Sequence, residues 1–162
     1  MTEADAESGG LRKFLVVVDD TAECRVALRF ASRRAEATGG GVTLLYVMEP
    51  ADFQHWVAVG DLMRQEAREA AEQVLQGLAA EVNALAGIMP ELVVREGRRL
   101  DELLALIEED HDIRVLVLGA APGAEGPGPL VSAFAGQMSG SFRIPLTIVP
   151  GTLSEAQIDE LT

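Results

Sequence analysis

A chain of 162 residues with 48% hydrophobic and 24% charged side chains is sized for one globular domain and is not a disordered segment. Its formal net charge of -13, with Lys13 as the sole lysine, lacks the basic face that a nucleic-acid binder needs. The single cysteine, Cys24, excludes an internal disulfide. With only His55 and His111 there is no zinc-ligand spacing, and no apolar run approaches the ~20 residues of a membrane span.

Residues 1–11 read as a flexible acidic leader, unlike the basic and apolar start of a signal peptide, so a cytoplasmic protein is expected. Phe14-Leu-Val-Val-Val18 is an apolar run too short for a helix and predicts a strand buried on both faces. Asp19 and Asp20 stop it, and Asp20-Thr-Ala-Glu23 has the form of a capping box. Cys24, Ala27, Leu28, Ala31 and Ala35 then follow at helical spacing until Gly39-Gly-Gly41. Val42–Val47 predicts the second strand.

A loop with Phe53, His55 and Trp56 leads into a long helix. Its stripe is read as Met63, Ala67, Ala70, Val74, Leu78, Val82 and Leu85, ended by Gly87 and Pro90. Residues 91–95 predict a third, more polar strand at an edge. Leu100, Leu103, Leu104 and Ile107 mark a third helix, and residues 114–118 a fourth strand.

The glycine-rich run Gly119-Ala-Ala-Pro-Gly123-Ala-Glu-Gly126-Pro-Gly128 follows, with Pro129 suited to the first turn of a fourth helix. Leu130, Val131, Phe134, Ala135, Met138 and Phe142 form the buried face of that helix. Residues 145–149, fenced by prolines, predict a fifth strand at an edge, and Ser154 caps a tail helix through Leu161. Five strands alternating with four helices require an α/β fold with a parallel sheet and helices on both faces. Ligands in such folds bind at the carboxyl ends of the strands.

Phe14-Leu-Val-Val-Val-Asp-Asp, Val42-Thr-Leu-Leu-Tyr-Val-Met-Glu-Pro, Val115-Leu-Val-Leu-Gly and Ile144-Pro-Leu-Thr-Ile-Val-Pro, in this order and spacing, resemble the universal stress protein family over residues 12–150. The resemblance implies a three-layer Rossmann-like fold with sheet order 3-2-1-4-5. It also implies a homodimer joined through the fifth strand and a regulatory role with an unidentified protein partner, while charge and hydropathy speak against nucleic acid and membrane. Some members bind ATP and others do not. In the binders an aspartate at the end of strand one reaches the nucleotide, which here is Asp19, and a valine near the end of strand two contacts adenine, which matches Val47.

The family phosphate motif is a glycine directly after strand four, then G-x2-G-x9-G and Ser or Thr. Counted without gaps from Gly119, its later positions hold Pro122, Ser132 and Ala133. Shifted, Gly123, Gly126 and Gly136 keep the spacing with Gln137 replacing Ser/Thr, but Gly136 then falls inside the fourth helix, which favours the ungapped count. The candidate nucleotide-binding set is therefore Asp19, Val47, Leu118, Gly119, Gly123, Gly126, Gly128 and Ser132, for ATP or a related adenine nucleotide with Mg.

Chemistry pulls the other way. Pro122, Pro127 and Pro129 remove backbone donors, Glu125 adds a negative charge, and no Lys or Arg lies between Gly119 and Phe142. Two functions stay open: a nucleotide-binding regulatory module and a nucleotide-free dimeric interaction protein, with a slow ATPase a distant third. Asp20 is read as a helix cap and Cys24 as inert core. Trp56 is read as seating the long helix, with stacking of His55 and Trp56 on a base as the alternative. A receiver-domain reading fails because strand five ends in Val149-Pro150 with no lysine. No nucleophile and base occur together, so no catalytic residue is assigned.

Overall fold

The computed structural model describes residues 10–49, 60–136, 140 and 142–162. Five strands, β1 (Lys13–Val17), β2 (Gly41–Met48), β3 (Glu91–Glu96), β4 (Ile113–Ala120) and β5 (Leu146–Pro150), pair in parallel in the order β3-β2-β1-β4-β5. The helices are α1 (Ala22–Thr38), α2 (Asp61–Ala86), α3 (Arg99–Glu109), α4 (Pro129–Ala135) and α5 (Glu155–Leu161). The two polar or proline-fenced strands, β3 and β5, are the edges, as their sequences predict.

The sheet separates two cores. Leu15, Val17, Leu45, Leu116 and Leu118 face α3 and α4 through Leu103, Leu106, Ile107, Val131 and Phe134. Val16, Val18, Leu44 and Val117 face α1 and α2 through Ala27, Leu28, Ala31, Leu75 and Val82. Alternate residues of β1 thus serve opposite layers, which is why its run is apolar without interruption. A chain leaving β1 turns into α1 on one face, while a chain leaving the adjacent β4 turns into α4 on the other. The carboxyl ends of the two central strands therefore diverge and leave a crevice between them.

Four local expectations are corrected. The cap of α1 is Thr21, whose hydroxyl accepts from Cys24 N at 3.3 Å, and not the exposed Asp20. The buried stripe of α2 is Ala71, Leu75, Leu78, Ala79 and Val82, whereas Met63 and Val74 lie on its exposed side. Helix α4 ends at Ala135 with Gly136 as its cap, so Gly136 is not inside the helix. Phe142 lies beyond that helix yet still packs on it, its ring 4.6 Å from that of Phe134. Met138, expected on the same face, lies outside the described residues. In the tail, Ser154 and Gln157 form a reciprocal capping box for α5, as expected from Ser154.

Candidate functional site

The crevice encloses about 160 Å³, and Asp19, Thr21, Glu23 and Cys24 line its β1–α1 side. Leu118, Gly119, Pro127, Gly128, Leu130 and Val131 line the β4–α4 side, and Arg99, the first residue of α3, closes it. Of the residues singled out from the sequence, Asp19, Leu118, Gly119 and Gly128 come together here. Val47 is buried in the α3/α4 core, Gly123 and Gly126 are exposed in the loop, and Ser132 is exposed on α4; none of these four lines the crevice. Phe53, His55, Trp56 and Gln137 lie outside the described residues.

Asp19 is held by its neighbour. Its Oδ1 accepts from Thr21 N at 2.9 Å and from the Thr21 hydroxyl, while Thr21 in turn caps α1. The carboxylate is thereby fixed at the crevice rim by local hydrogen bonds to the chain that follows it.

Gly119 has a packing reason to be glycine. It belongs to β4, and a Cβ there would sit 2.1 Å from the carbonyl oxygen of Glu23 in α1. The loop beyond it is closed on itself, with Ala121 N donating to Pro127 O at 3.0 Å. Gly123, Gly126 and Gly128 all have positive φ, between 96° and 127°, so this loop uses glycine to turn without strain.

The crevice cation is Arg99. Its backbone N–H donates to Glu49 Oε1 at 3.1 Å, and its Nε stands 3.8 Å from the same oxygen, beyond hydrogen-bond reach. That Nε is buried with no partner. A buried donor left unpaired costs on the order of 1–3 kcal/mol, which an incoming anionic oxygen recovers. Sequence reading passed over Arg99 because it lies far upstream of the glycine loop. The available signal was Arg98-Arg99 at the start of a helix, where the macrodipole disfavours cations.

Cys24 is no nucleophile: burial pushes its thiol up to about 11, and its Sγ lies 3.6 Å from the carbonyl of Val17. Among the described residues no group of three or more His, Cys, Asp or Glu side chains is placed to hold a metal ion. No helix among the described residues is long and apolar enough to cross a membrane.

The sequence model described as the universal stress protein family matches residues 10–150. The chain belongs to the universal stress protein family. Universal stress protein UspA from Lactobacillus plantarum superposes with a TM-score of 0.68 at 17% identity, over 86% of this chain and 97% of that one. A universal stress protein family member from Burkholderia pseudomallei gives 0.62 at 17% identity, over 86% and 96%. A universal stress protein in complex with cAMP gives 0.60 at 15% identity, over 88% and 98%. At these identities the likeness establishes the fold, and the five-stranded parallel sheet in the order 3-2-1-4-5 is the one expected. No curated protein sequence matches the chain.

Proposed function

We propose that this universal stress protein is a regulatory module whose β1–β4 crevice takes an adenine nucleotide with a single phosphate group in preference to ATP. The observation that carries this reading is the orphaned, buried Nε of Arg99 in the wall of the crevice that Asp19 and Gly119 also line. Arg99 meets the phosphate as a charge-assisted donor, and Asp19 accepts from a ribose hydroxyl at the rim.

Three features weigh against a triphosphate. About 160 Å³ is below the roughly 300–1,000 Å³ of pockets that enclose a whole small ligand, so the base lies across the mouth of the crevice. One arginine faces Asp19 and Glu23 in the lining, which leaves no surplus positive charge for several phosphates. The loop prolines and the internal Ala121–Pro127 bond withdraw backbone donors from the phosphate path. A cAMP complex within the family is consistent with a single-phosphate ligand.

Calorimetric titration with AMP, cAMP and ATP tests the reading. AMP or cAMP binds more tightly than ATP, Arg99→Ala weakens that binding about 10- to 100-fold, as loss of a charged hydrogen bond does, and Asp19→Ala weakens it as well. Absence of heat with all three ligands overturns it in favour of the second reading, a nucleotide-free homodimer joined through β5. That reading rests on the uncharged edge strand Leu146-Thr-Ile-Val149, whose Ile148 is 39% exposed.

A further inference from the structure

The opposite end of the sheet holds a second cavity, of about 810 Å³, beneath the amino-terminal ends of β1, β4 and β5. Among the described residues its lining contains Arg12, Lys13, Arg34, Arg114, Arg143 and His111, and no aspartate or glutamate. That composition is unexpected in a chain with 26 acidic and 13 basic side chains. Several arginines elsewhere sit against carboxylates, as in Arg25–Glu81, Arg29–Asp159, Arg33–Asp159 and Arg95–Glu109.

The cations of the cavity differ in how far they are neutralised. Lys13 is satisfied by Glu91 and Asp110, at 2.9 and 2.7 Å. Arg143 donates to the carbonyl of Ile107 and keeps Glu108 only at 3.8 Å. Arg114 donates to the carbonyl of His111 at 2.9 Å, and Arg34 to Thr162 O at 3.4 Å. Among the described residues neither Arg12 nor Arg114 has an acidic partner. With Arg34 they come from the lead-in to β1, the start of β4 and the last turns of α1, so only the fold assembles them.

We propose that this amino-terminal cavity is a second ligand site, for a small anion carrying two or more phosphate groups. Arg12 and Arg114, without carboxylate partners, together with Arg34 carry positive charge that an anion neutralises, and each guanidinium presents a fork matched to phosphate oxygens. The volume falls inside the range of small-molecule pockets, and Phe14, Val115 and Pro145 supply apolar lining for an organic scaffold. The site shares no lining residue with the crevice at the other end of the strands, so it stands or falls independently of the nucleotide reading.

The test is calorimetric titration at low ionic strength with two probes, inorganic tripolyphosphate and fructose 1,6-bisphosphate. The wild-type protein binds at least one, an Arg12→Gln/Arg114→Gln double variant binds it at least about tenfold more weakly, and Arg99→Ala binds it unchanged. Binding of the sugar bisphosphate identifies a phosphorylated metabolite as the source, whereas binding of tripolyphosphate alone identifies an inorganic chain. Three results overturn the proposal: no binding of either probe, equal affinity in the double variant, or loss of binding in Arg99→Ala alone. A glutamate-rich peptide that binds as tightly as the phosphates also overturns it, because the cavity is then a protein-docking surface. Both substituted arginines project from strand ends on the surface, and an unchanged thermal midpoint confirms that the double variant is folded.

Discussion

Gly119 shows how one residue serves the fold and shapes the site. With the Glu23 carbonyl 2.1 Å from where a Cβ would stand, neither the central strand nor the first turn of α1 moves without disturbing both cores. Gly119→Ala is therefore expected to cost roughly 1–3 kcal/mol, the range for overpacking a well-fitted interior, read as a lower urea midpoint. An unchanged midpoint would show that α1 yields freely. The glycine most suggestive of phosphate binding in the sequence thus has a sufficient structural cause. Arg99, which nothing around the glycine loop announces, is the side chain of the crevice lining whose buried donor is left without a hydrogen bond. Sequence patterns reveal which residues flank a loop, but not which distant side chain the sheet order carries to it. β3 ends beside β2 and not beside β4, yet the chain after it brings Arg99 across to the crevice.

At the scale of elements, strand direction and the placing of helices were legible from uninterrupted apolar runs and three-four periodicity, whereas the strand order came from the resemblance to the universal stress protein family. The phase of α2 was not legible. Ala70 and Ala71, and again Val74 and Leu75, are adjacent apolar pairs, so two stripes sharing Leu78 and Val82 fit the sequence equally well. The longer side chain of Leu75 is the one buried, and Val74 is left 46% exposed. The end of α4 was also misplaced, because Phe142 has the spacing of a helical core residue but reaches Phe134 from the segment after Gly136. The tail helix was legible from Ser154 alone, and its anchoring is now explicit. Ile158 is buried against the fold, and Asp159 takes hydrogen bonds from Arg29 and Arg33 of α1, which hold its carboxyl below the usual range. Ile158→Ala is expected to lower stability by about 2–4 kcal/mol. Leu161→Ala, at a 63% exposed position on the same helix, stays within about 0.5 kcal/mol. Equal effects in denaturant melts would mean that α5 docks through its ion pairs and not its apolar face.

For the whole molecule, the two sheet edges are the decisive contrast. Leu92 on β3 and Ile148 on β5 are each 39% exposed, so exposure alone does not tell a guarded edge from an open one. Charge does. β3 carries Glu91, Arg95 and Glu96 among its six residues, and such side chains deter a second chain from adding a strand. β5, with the sequence Leu-Thr-Ile-Val-Pro, carries none, and only the prolines at its ends limit the ladder a partner could form. Pairing of β5 with its own copy about a two-fold axis removes that open edge and buries Ile148, which makes β5 the expected dimer contact. Analytical ultracentrifugation at micromolar concentration is expected to show a dimer that Ile148→Lys converts to monomer, while Leu92→Lys leaves it intact. A wild-type monomer, or a dimer lost with Leu92→Lys and kept with Ile148→Lys, would move the contact away from β5. Because no residue of β5 lines the crevice, its ligand binding can be tested in either variant. Nucleotide titration of the Ile148→Lys monomer then separates a site complete within one chain, which binds as the wild type does, from one that needs its neighbour.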